Sequence, residues 1–341
     1  MKTIAFLGVA HIHSPGFIKR VKERADQFTV KAVWDSQPER AAIAAEQLTC
    51  ATVLAYSEIL SDPAIDAVII CSETSLHLEL VEATAAAGKD VFVEKPLGMG
   101  AGDAYAMQRA IDAAGVIFQT GHFMRSMPVY RQLKAWIDAG ALGTITRVRH
   151  SNVHQGAIAG IFDPGRGRGP FADGWLWMTD PALSGCGGFG DLGAHSLDIL
   201  MWLLGDVDSV TAQVDRLLGR YDCDEYGEGL LRFSNGAIGT IAAGWTDVLR
   251  PQEILVSGVE GVAYVDAGVL YVQSANLPGT EGGEWTDLPE ALPHAFELFL
   301  DAILGGDAPL ISAKEAADRS AVMEALYQAA ATDSWVQPQT A

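Results

Sequence analysis

The chain lacks several features that would mark other classes of protein. No apolar run approaches the ~20 residues that a membrane-spanning helix needs, so we expect no membrane association. The first eight residues carry one positive charge and too short an apolar run for a secretory signal, which favours a first strand. Basic residues are few, with 23 Lys and Arg against 43 Asp and Glu. The formal charge of −20 repels a phosphate backbone, so nucleic acid is not an expected partner.

Cysteine is also scarce. The four cysteines are dispersed along the chain, at Cys50, Cys71, Cys186 and Cys223. This spacing is not that of metal ligands, and it favours reduced thiols in a cytoplasmic protein. His150 and His154 lie on a predicted strand, where ~3.3 Å per residue places them ~13 Å apart, too far to share one ion. We therefore predict no metal site.

The length of 341 residues exceeds what one hydrophobic core usually fills, so two domains are expected, with a boundary near residue 121. In residues 1–121, short apolar runs alternate with amphipathic helical patterns. This order favours right-handed crossovers and a doubly wound parallel sheet. The predicted strands are residues 3–9, 29–34, 67–71, 90–94 and 116–120, and the predicted helices are 14–27, 38–47, 75–88 and 102–114.

Residues 122–341 have a different pattern: a helix at 128–139 precedes runs with a period near two, which indicates a mostly antiparallel sheet. Ser234-Asn235-Gly236 separates two runs and predicts a hairpin, because Asn-Gly tolerates positive φ at both central positions. Helices at 191–204, 293–305 and 313–331 are expected to cover one face of the sheet. The predicted strands are residues 144–154, 207–217, 227–233, 237–245, 253–257 and 262–266.

Two motifs carry most of the information about function. In Glu94-Lys95-Pro96, the proline ends regular pairing just after a strand, which places Lys95 at the carboxyl edge of the sheet, where open α/β folds bind ligands. The second motif, at residues 185–195, is Gly-Cys-Gly-Gly-Phe-Gly-Asp-Leu-Gly-Ala-His. Together they resemble the signature of the Gfo/Idh/MocA oxidoreductases, and shorter matches at 140–145, 233–239 and 257–261 extend the resemblance over nearly the whole chain. The resemblance implies a Rossmann domain followed by an α/β domain with an open, mostly antiparallel sheet.

The predicted dinucleotide loop follows the first strand and reads Gly8-Val9-Ala10-His11-Ile12-His13. Only Gly8 matches the G-x-G-x-x-G fingerprint, although Ala10 still permits close approach of a pyrophosphate. Ser14 is predicted as the N-cap of a helix with Pro15 at its first position, so the helix amino terminus points at the loop. His11 and His13 either add hydrogen bonds to the cofactor or face solvent.

Asp35 follows the second strand, where a carboxylate accepts hydrogen bonds from the ribose hydroxyls of NAD. It would repel the 2′-phosphate of NADP, and no arginine follows directly, so NAD is the predicted cofactor. An Asp at this point is also a common turn residue. The resemblance places Ser72 on the nicotinamide side and Glu94 on a ribose. It also matches Trp177 to a W-R-x-D-P segment whose arginine is Met178 here, while His77 either packs in a helix turn or binds ligand.

Removal of hydride from a secondary alcohol requires an acid/base group for the hydroxyl proton. Lys95 suits this role because burial lowers the pKa of an amine. Asp191 and His195 are four apart on a helical pattern, so both side chains share one face. Taken alone, they could equally be a helix N-terminal charge and a packed core histidine. The resemblance assigns Lys95, Asp191 and His195 to the catalytic site.

Residues 155–183 form a long glycine-rich segment with two tryptophans and two arginines, one of which is Arg168. Because aromatic faces suit the apolar side of a sugar ring, we predict a substrate-covering lid. The resemblance places His122 and Arg125 toward the substrate, and His154 is a further candidate at the end of a second-domain strand.

The leading hypothesis is therefore an NAD-dependent dehydrogenase that oxidises a secondary hydroxyl of a sugar, cyclitol or related polyol. An alternative within the family retains NAD and uses transient oxidation to drive glycoside cleavage or epimerisation. A third is a non-catalytic NAD-binding regulator. The resemblance also implies a homodimer or homotetramer that pairs through the C-terminal sheet.

Overall fold

The computed structural model describes residues 1–166, 172–250 and 252–341, and the first of its two sheets is parallel throughout. The order of this sheet is β3-β2-β1-β4-β5-β6. Its strands are β1 (Lys2–Leu7), β2 (Phe28–Trp34), β3 (Ala51–Thr52), β4 (Ala67–Ile70), β5 (Asp90–Val93) and β6 (Phe118–Thr120). The connecting helices are α1 (Ser14–Glu23), α2 (Pro38–Leu48), α3 (Tyr56–Ser61), α4 (His77–Ala86) and α5 (Ala101–Ala114). The predicted doubly wound sheet is confirmed; β3 and α3 are short and were not predicted.

The second sheet has the order β14-β13-β12-β11-β7-β10-β9-β8. Among the described strands of this sheet, only β7 and β10 pair in parallel, so the predicted mostly antiparallel sheet is also confirmed. Its strands are β7 (Ile145–Val153), β8 (Val207–Asp215), β9 (Tyr226–Phe233), β10 (Ile238–Gly244), β11 (Gln252–Gly258), β12 (Gly261–Asp266), β13 (Val269–Ser274) and β14 (Glu281–Glu284).

Helices of the second half of the chain divide between the two sheets. They are α6 (Pro128–Asp138), α7 (Gly156–Ala159), α8 (Pro181–Ser184), α9 (Gly188–Leu204), α10 (Ala295–Ile303) and α11 (Ala313–Thr332). α9 and α11 pack on the second sheet, as predicted, and α11 also packs on α5. None of the described helices is both long and apolar enough to cross a bilayer.

The prediction that α10 covers the second sheet is wrong. Phe296 stacks on Phe17 with ring centroids 4.4 Å apart and meets Phe92 at 5.0 Å, in the core of the first sheet. Helical periodicity identifies the apolar face of α10, but it does not identify the sheet that receives that face. The chain therefore returns to the first sheet after completing the second.

Two local predictions also need correction. The β9–β10 hairpin forms as predicted. Of Asn235 and Gly236, however, only Gly236 has a positive φ, at 89°. The Gly236 N–H donates to the Phe233 carbonyl and closes the turn. The N-cap of α1 is His13 rather than Ser14, because the helix already begins at Ser14, and the side chain of His13 makes no capping bond. Ser14 and Pro15 both lie in the first turn, so the helix still begins at the loop after β1.

The packing of α10 gives a stability prediction. Phe296→Ala should lower the free energy of unfolding by ~3–5 kcal/mol, because it opens a cavity among buried aromatic rings. Leu304→Ala is the matched control, since Leu304 is 40% exposed and should change stability by less than ~1 kcal/mol. Urea denaturation followed by circular dichroism measures both. A loss below ~1 kcal/mol for Phe296→Ala would contradict this packing.

Candidate active site

An ion pair between Lys95 and Asp191 joins the two sheets. Lys95 lies just beyond β5, at the carboxyl edge of the first sheet, and Asp191 lies in the first turn of α9. The Lys95 ammonium donates to Asp191 Oδ1 at 2.6 Å and to the Asp191 carbonyl at 3.1 Å. The two motifs that were 96 positions apart in the sequence therefore meet in one contact.

Asp191 is held on both carboxylate oxygens. Its Oδ2 accepts a hydrogen bond from the indole N–H of Trp245 at 3.0 Å, and Trp245 is fully buried at the end of β10. The loop after β5 is held in turn by His77, whose Nδ1 lies 3.1 Å from the Pro96 carbonyl and must donate to it. His77 is thus a packing residue that positions the lysine loop.

The charge state of the pair differs from the sequence expectation. Burial alone would lower the pKa of Lys95, but Asp191 outweighs burial and raises that pKa above its ordinary value. Burial would likewise raise the pKa of Asp191, but Lys95 holds it well below its usual range. Lys95 is therefore an ammonium ion next to a carboxylate, and the expectation of a lysine titrating near neutrality is wrong for the free protein.

The imidazole of His195 is neutral. Burial, aided by the nearby Lys95 charge, holds the pKa of His195 well below its usual range, so the ring is unprotonated at neutral pH. Its Nδ1 is buried and has no hydrogen-bond partner among the described residues. The ring of His122 lies edge-on to it at 5.8 Å, and burial lowers the pKa of His122 to about 4.

Arg125 does not extend freely toward this site. Its guanidinium donates to Asp198 at 3.0 Å and to Glu315 at 2.8 Å, and it lies over the Trp202 ring at 5.8 Å. The structure therefore places Arg125 in an ion network between α9 and α11, next to a cavity of about 250 Å³ that His122 also lines.

His154 lies on the second-sheet side of Asp191. Burial lowers the pKa of His154, although the nearby Asp191 charge acts in the opposite direction. The Nδ1 atom of His154 accepts the Gly156 N–H at 3.0 Å. Beyond it, the segment predicted as a lid is described for residues 155–166 and 172–183; Arg168 lies outside the described residues. Trp177 is buried, and its indole donates to the Ala10 carbonyl at 3.0 Å, so this segment contacts the dinucleotide loop.

The loop after β1 fits a dinucleotide. Gly8 has a φ of 86°, and a Cβ there would lie 2.5 Å from Ser72 Cβ, so only glycine permits this approach. The loop leads directly into α1, and the N–H groups of Ala10 and Ile12 donate to no other described residue. Free backbone N–H groups at a helix amino terminus are what a pyrophosphate requires. NAD would be held here, with Ser72 directly beside the turn.

Asp35, which the sequence predicts to bind a ribose, has a fully buried side chain. It lies at the carboxyl end of β2, where its Oδ2 accepts the Val9 N–H at 2.7 Å and its Oδ1 accepts the Gln37 N–H at 2.8 Å. Oδ1 also accepts from Arg40, so Oδ2 has the fewer protein partners of the two oxygens.

Glu94 and two histidines line the inner side of the loop. Burial opposes ionisation of Glu94, but His11 and His13 outweigh it and hold its pKa well below its usual range; His13 Nδ1 lies 3.1 Å from Glu94 Oε1. His11 is buried rather than solvent-facing, and burial lowers its pKa to about 3. Metal-ligand atoms of these three residues lie within 4.8 Å of one another, so the absence of a metal site stays a prediction.

Sequence reasoning gave no role to two charged residues at this edge. Arg40 and Glu73 pair with each other and are nearly fully buried beside Asp35. A signal for Arg40 was available, because it lies four positions before Ala44 on the buried face of α2. A charged residue in such a stripe requires a partner of opposite sign. That partner is Glu73, which follows β4, and nothing in the sequence near Arg40 points to it.

Known proteins are similar to this chain in sequence and in fold. Two family models match: "Oxidoreductase family, NAD-binding Rossmann fold" over residues 2–122 and "GFO/IDH/MocA C-terminal domain" over residues 130–264. The scyllo-inositol 2-dehydrogenase (NAD(+)) of Bacillus subtilis is 29% identical over 272 residues, which cover 75% of this chain and 72% of that protein. The 1,5-anhydro-D-fructose reductase of Ensifer adhaerens is 28% identical, over 93% of each chain.

Among solved structures, levoglucosan dehydrogenase in complex with NADH and L-sorbose has the same fold. The TM-score is 0.83 at 20% identity, covering 100% of this chain and 99% of that one. The two family models together match well over half of the sequence, in the same order as the two sheets. This chain belongs to the Gfo/Idh/MocA family of NAD-binding oxidoreductases.

Proposed function

We propose that this protein is an NAD-dependent dehydrogenase that oxidises a secondary hydroxyl of a sugar, cyclitol or related polyol. The observation that carries the proposal is the buried Lys95–Asp191 pair, with neutral His195 on the same helix, next to a loop that fits a dinucleotide. A charged donor and a neutral base beside a redox cofactor are the groups that alcohol oxidation needs.

The residues divide the chemistry between them. Oxidation of a carbinol to a ketone transfers a hydride from carbon and releases the hydroxyl proton. NAD, when bound, accepts the hydride. His195 takes the hydroxyl proton, since it is neutral, while the Lys95 ammonium stabilises the negative charge that develops on the substrate oxygen. Asp191 and Trp245 keep that ammonium in place.

The substrate class rests on the relatives and on the surroundings of the site. Relatives are named as dehydrogenases of inositols, levoglucosan and D-apiose, all of which are polyols or sugars. His154 is next to Asp191 and is the favoured group for reading a second hydroxyl. His122 is in ring contact with His195, whereas Arg125 is engaged by two carboxylates and acts as support for this wall.

We propose that residues 1–121 bind the cofactor and that residues 122–341 bind the substrate and mediate self-association, as the sequence predicts. α9 and α11 cover one face of the second sheet. On its other face, several apolar side chains remain partly exposed: Leu230, Leu255, Tyr264 and Tyr271. A half-covered sheet with apolar residues on its open face favours a homodimer or homotetramer. All four cysteines are unpaired, which supports function in a reducing compartment such as the cytoplasm.

The role of Lys95 is tested by Lys95→Met. We expect NAD affinity to be retained and turnover to fall by at least ~10², because the substrate oxygen loses its charged partner. NADH formation with a panel of polyols and added NAD measures turnover, and calorimetry measures NAD binding. Lys19→Met is the control, since that side chain is 75% exposed.

Lys95→Met leaves Asp191 buried without its counter-ion, which destabilises the fold by ~3–5 kcal/mol. The double variant Lys95→Met/Asp191→Asn removes both charges and should recover stability while staying inactive. Full activity in either variant removes the pair from the mechanism. Turnover of glycosides without added NAD, with no NADH released, would identify the NAD-retaining alternative instead.

The pH profile of kcat/KM follows from the two shifted groups. The pKa of His195 lies well below 6.5, so the base form is fully present above that value and is lost only in acid. The pKa of Lys95 is raised above 10.5, so its charge is lost only in strong alkali. We therefore expect a flat profile from ~pH 6.5 to ~9, because kcat/KM reports the free enzyme. An inflection near pH 7 that disappears in His195→Asn would contradict this charge assignment.

Self-association is tested on the open sheet face. Leu255→Arg should shift the sedimentation coefficient toward that of the monomer, because a charge would be buried at the centre of the interface. Leu54→Arg is the control, since Leu54 is 93% exposed in the first half of the chain. A natural protein that sediments as a monomer at micromolar concentration excludes the proposed pairing.

A further inference from the structure

A buried ion cluster lies at the site that receives the adenosine ribose. Arg40, on the first turn of α2, donates through Nε to Asp35 Oδ1 at 2.8 Å and through Nη2 to Glu73 Oε1 at 2.5 Å. Asp35 follows β2 and Glu73 follows β4, so the cluster joins the carboxyl ends of two strands. All three residues are 5–6% exposed.

The charges of this cluster do not balance. Two carboxylates (−2) and one guanidinium (+1) leave a formal charge of −1. Burial disfavours the charged guanidinium, but Asp35 and then Glu73 outweigh burial and raise the pKa of Arg40. The arginine is therefore a permanent cation whose charge is already neutralised by two partners. Its third nitrogen, Nη1, is buried without a partner among the described residues.

An arginine near the ribose is the group by which related folds accept the 2′-phosphate of NADP. This chain has such an arginine, five positions after Asp35, but it is turned into the cluster. Ser36 is also part of the cluster: its hydroxyl accepts from Arg40 Nη2 at 3.0 Å and donates to Glu73 Oε2 at 3.4 Å. The chain therefore has an arginine at the position needed to bind the 2′-phosphate of NADP, but its guanidinium is already paired with Asp35 and Glu73.

We propose that Glu73 is a second determinant of cofactor choice, which favours NAD over NADP by holding Arg40 away from a 2′-phosphate and keeping the pocket negative. This inference rests on the proposed use of NAD at the loop after β1. Asp35 and Glu73 each form an ion pair with Arg40 and together hold its guanidinium in the cluster. Loss of either carboxylate leaves Arg40 bound to the other.

This arrangement predicts non-additive effects. In Asp35→Ser, Arg40 keeps its ion pair with Glu73, and in Glu73→Gln it keeps its bonds to Asp35. Each single variant removes one negative charge, and Asp35→Ser also removes the proposed acceptor for the ribose hydroxyls; each should raise the NADPH-to-NADH affinity ratio by at least ~10-fold. In the double variant, Arg40 has no carboxylate partner and can bind the phosphate. The ratio should then rise by at least ~10-fold more than the product of the single effects.

The experiment is calorimetric titration of the full-length protein with NADH and NADPH, without substrate. The variants are Asp35→Ser, Glu73→Gln, their combination, and the combination with Arg40→Met. The last should lose the extra gain, because the phosphate has no cation to contact. Glu39→Gln is the matched control: Glu39 is an exposed carboxylate adjacent to Arg40 in sequence, and its loss should leave the ratio within about twofold.

Four outcomes would overturn either the role of Glu73 or the proposed function. Additive single effects, or a ratio unaffected by Glu73→Gln, overturn the role of Glu73 even when NADH binds tightly. A natural protein that binds neither cofactor overturns the proposed function instead, so the two failures are distinguishable. If Glu73→Gln does not fold, as judged by thermal unfolding, Glu73→Ala removes the same carboxylate and should still raise the ratio; an unchanged ratio there also overturns the proposal.

Discussion

The contact between the Lys95 ammonium and the Asp191 carboxylate fixes how the rest of the site is arranged. It connects the edge of the parallel sheet with the first turn of α9, the helix that lies on the second sheet. The Lys95 side chain is 2% exposed and that of Asp191 is 14% exposed, so both ions are largely removed from water at a cost of several kcal/mol each, which close contact and additional hydrogen bonds must offset. Trp245 and the Asp191 carbonyl supply those bonds. Displacement of α9 would therefore leave two buried charges unpaired.

Pairing of buried charges also separates the roles of the polar side chains. Lys95 and Asp191 stay ionised because each stabilises the other, whereas His195 and His122 stay neutral because burial dominates their environment. A charged hydrogen-bond donor and a neutral proton acceptor therefore coexist within one small volume. Groups whose environments push their pKa values apart are the usual basis for assigning acid and base roles.

The cofactor site also depends on a buried charge that is paired, here Asp35 just after β2. Asp35 is held on both carboxylate oxygens, by Val9 on one and by Gln37 and Arg40 on the other. Gly8 brings the backbone after β1 against Ser72, and the N–H groups of Ala10 and Ile12 in the same loop donate to no other described residue. The site is thus built mainly from backbone groups and from carboxylates held by neighbours, and little of it depends on exposed side chains.

Much of this could be predicted from local patterns. Strand and helix periodicity located both sheets, and the motif around Lys95 placed it at the carboxyl edge, because Pro96 stops the strand there. Contacts between distant elements could not be predicted in this way. The sheet that receives α10 depends on packing with Phe17 and Phe92, and the partner of Arg40 is a glutamate 33 positions away. The pKa of Lys95 likewise depends on a neighbour that burial arguments alone do not include.

The central claim is that Lys95 and His195 together contact the hydroxyl that is oxidised. A crystal structure of the protein with NADH and a bound polyol tests it most directly. We predict that the hydroxyl on the carbon facing the nicotinamide lies within ~3.2 Å of Lys95 Nζ and of a His195 ring nitrogen. A well-ordered complex in which that hydroxyl is contacted by other side chains, with both of these residues more than ~4 Å away, would contradict the account.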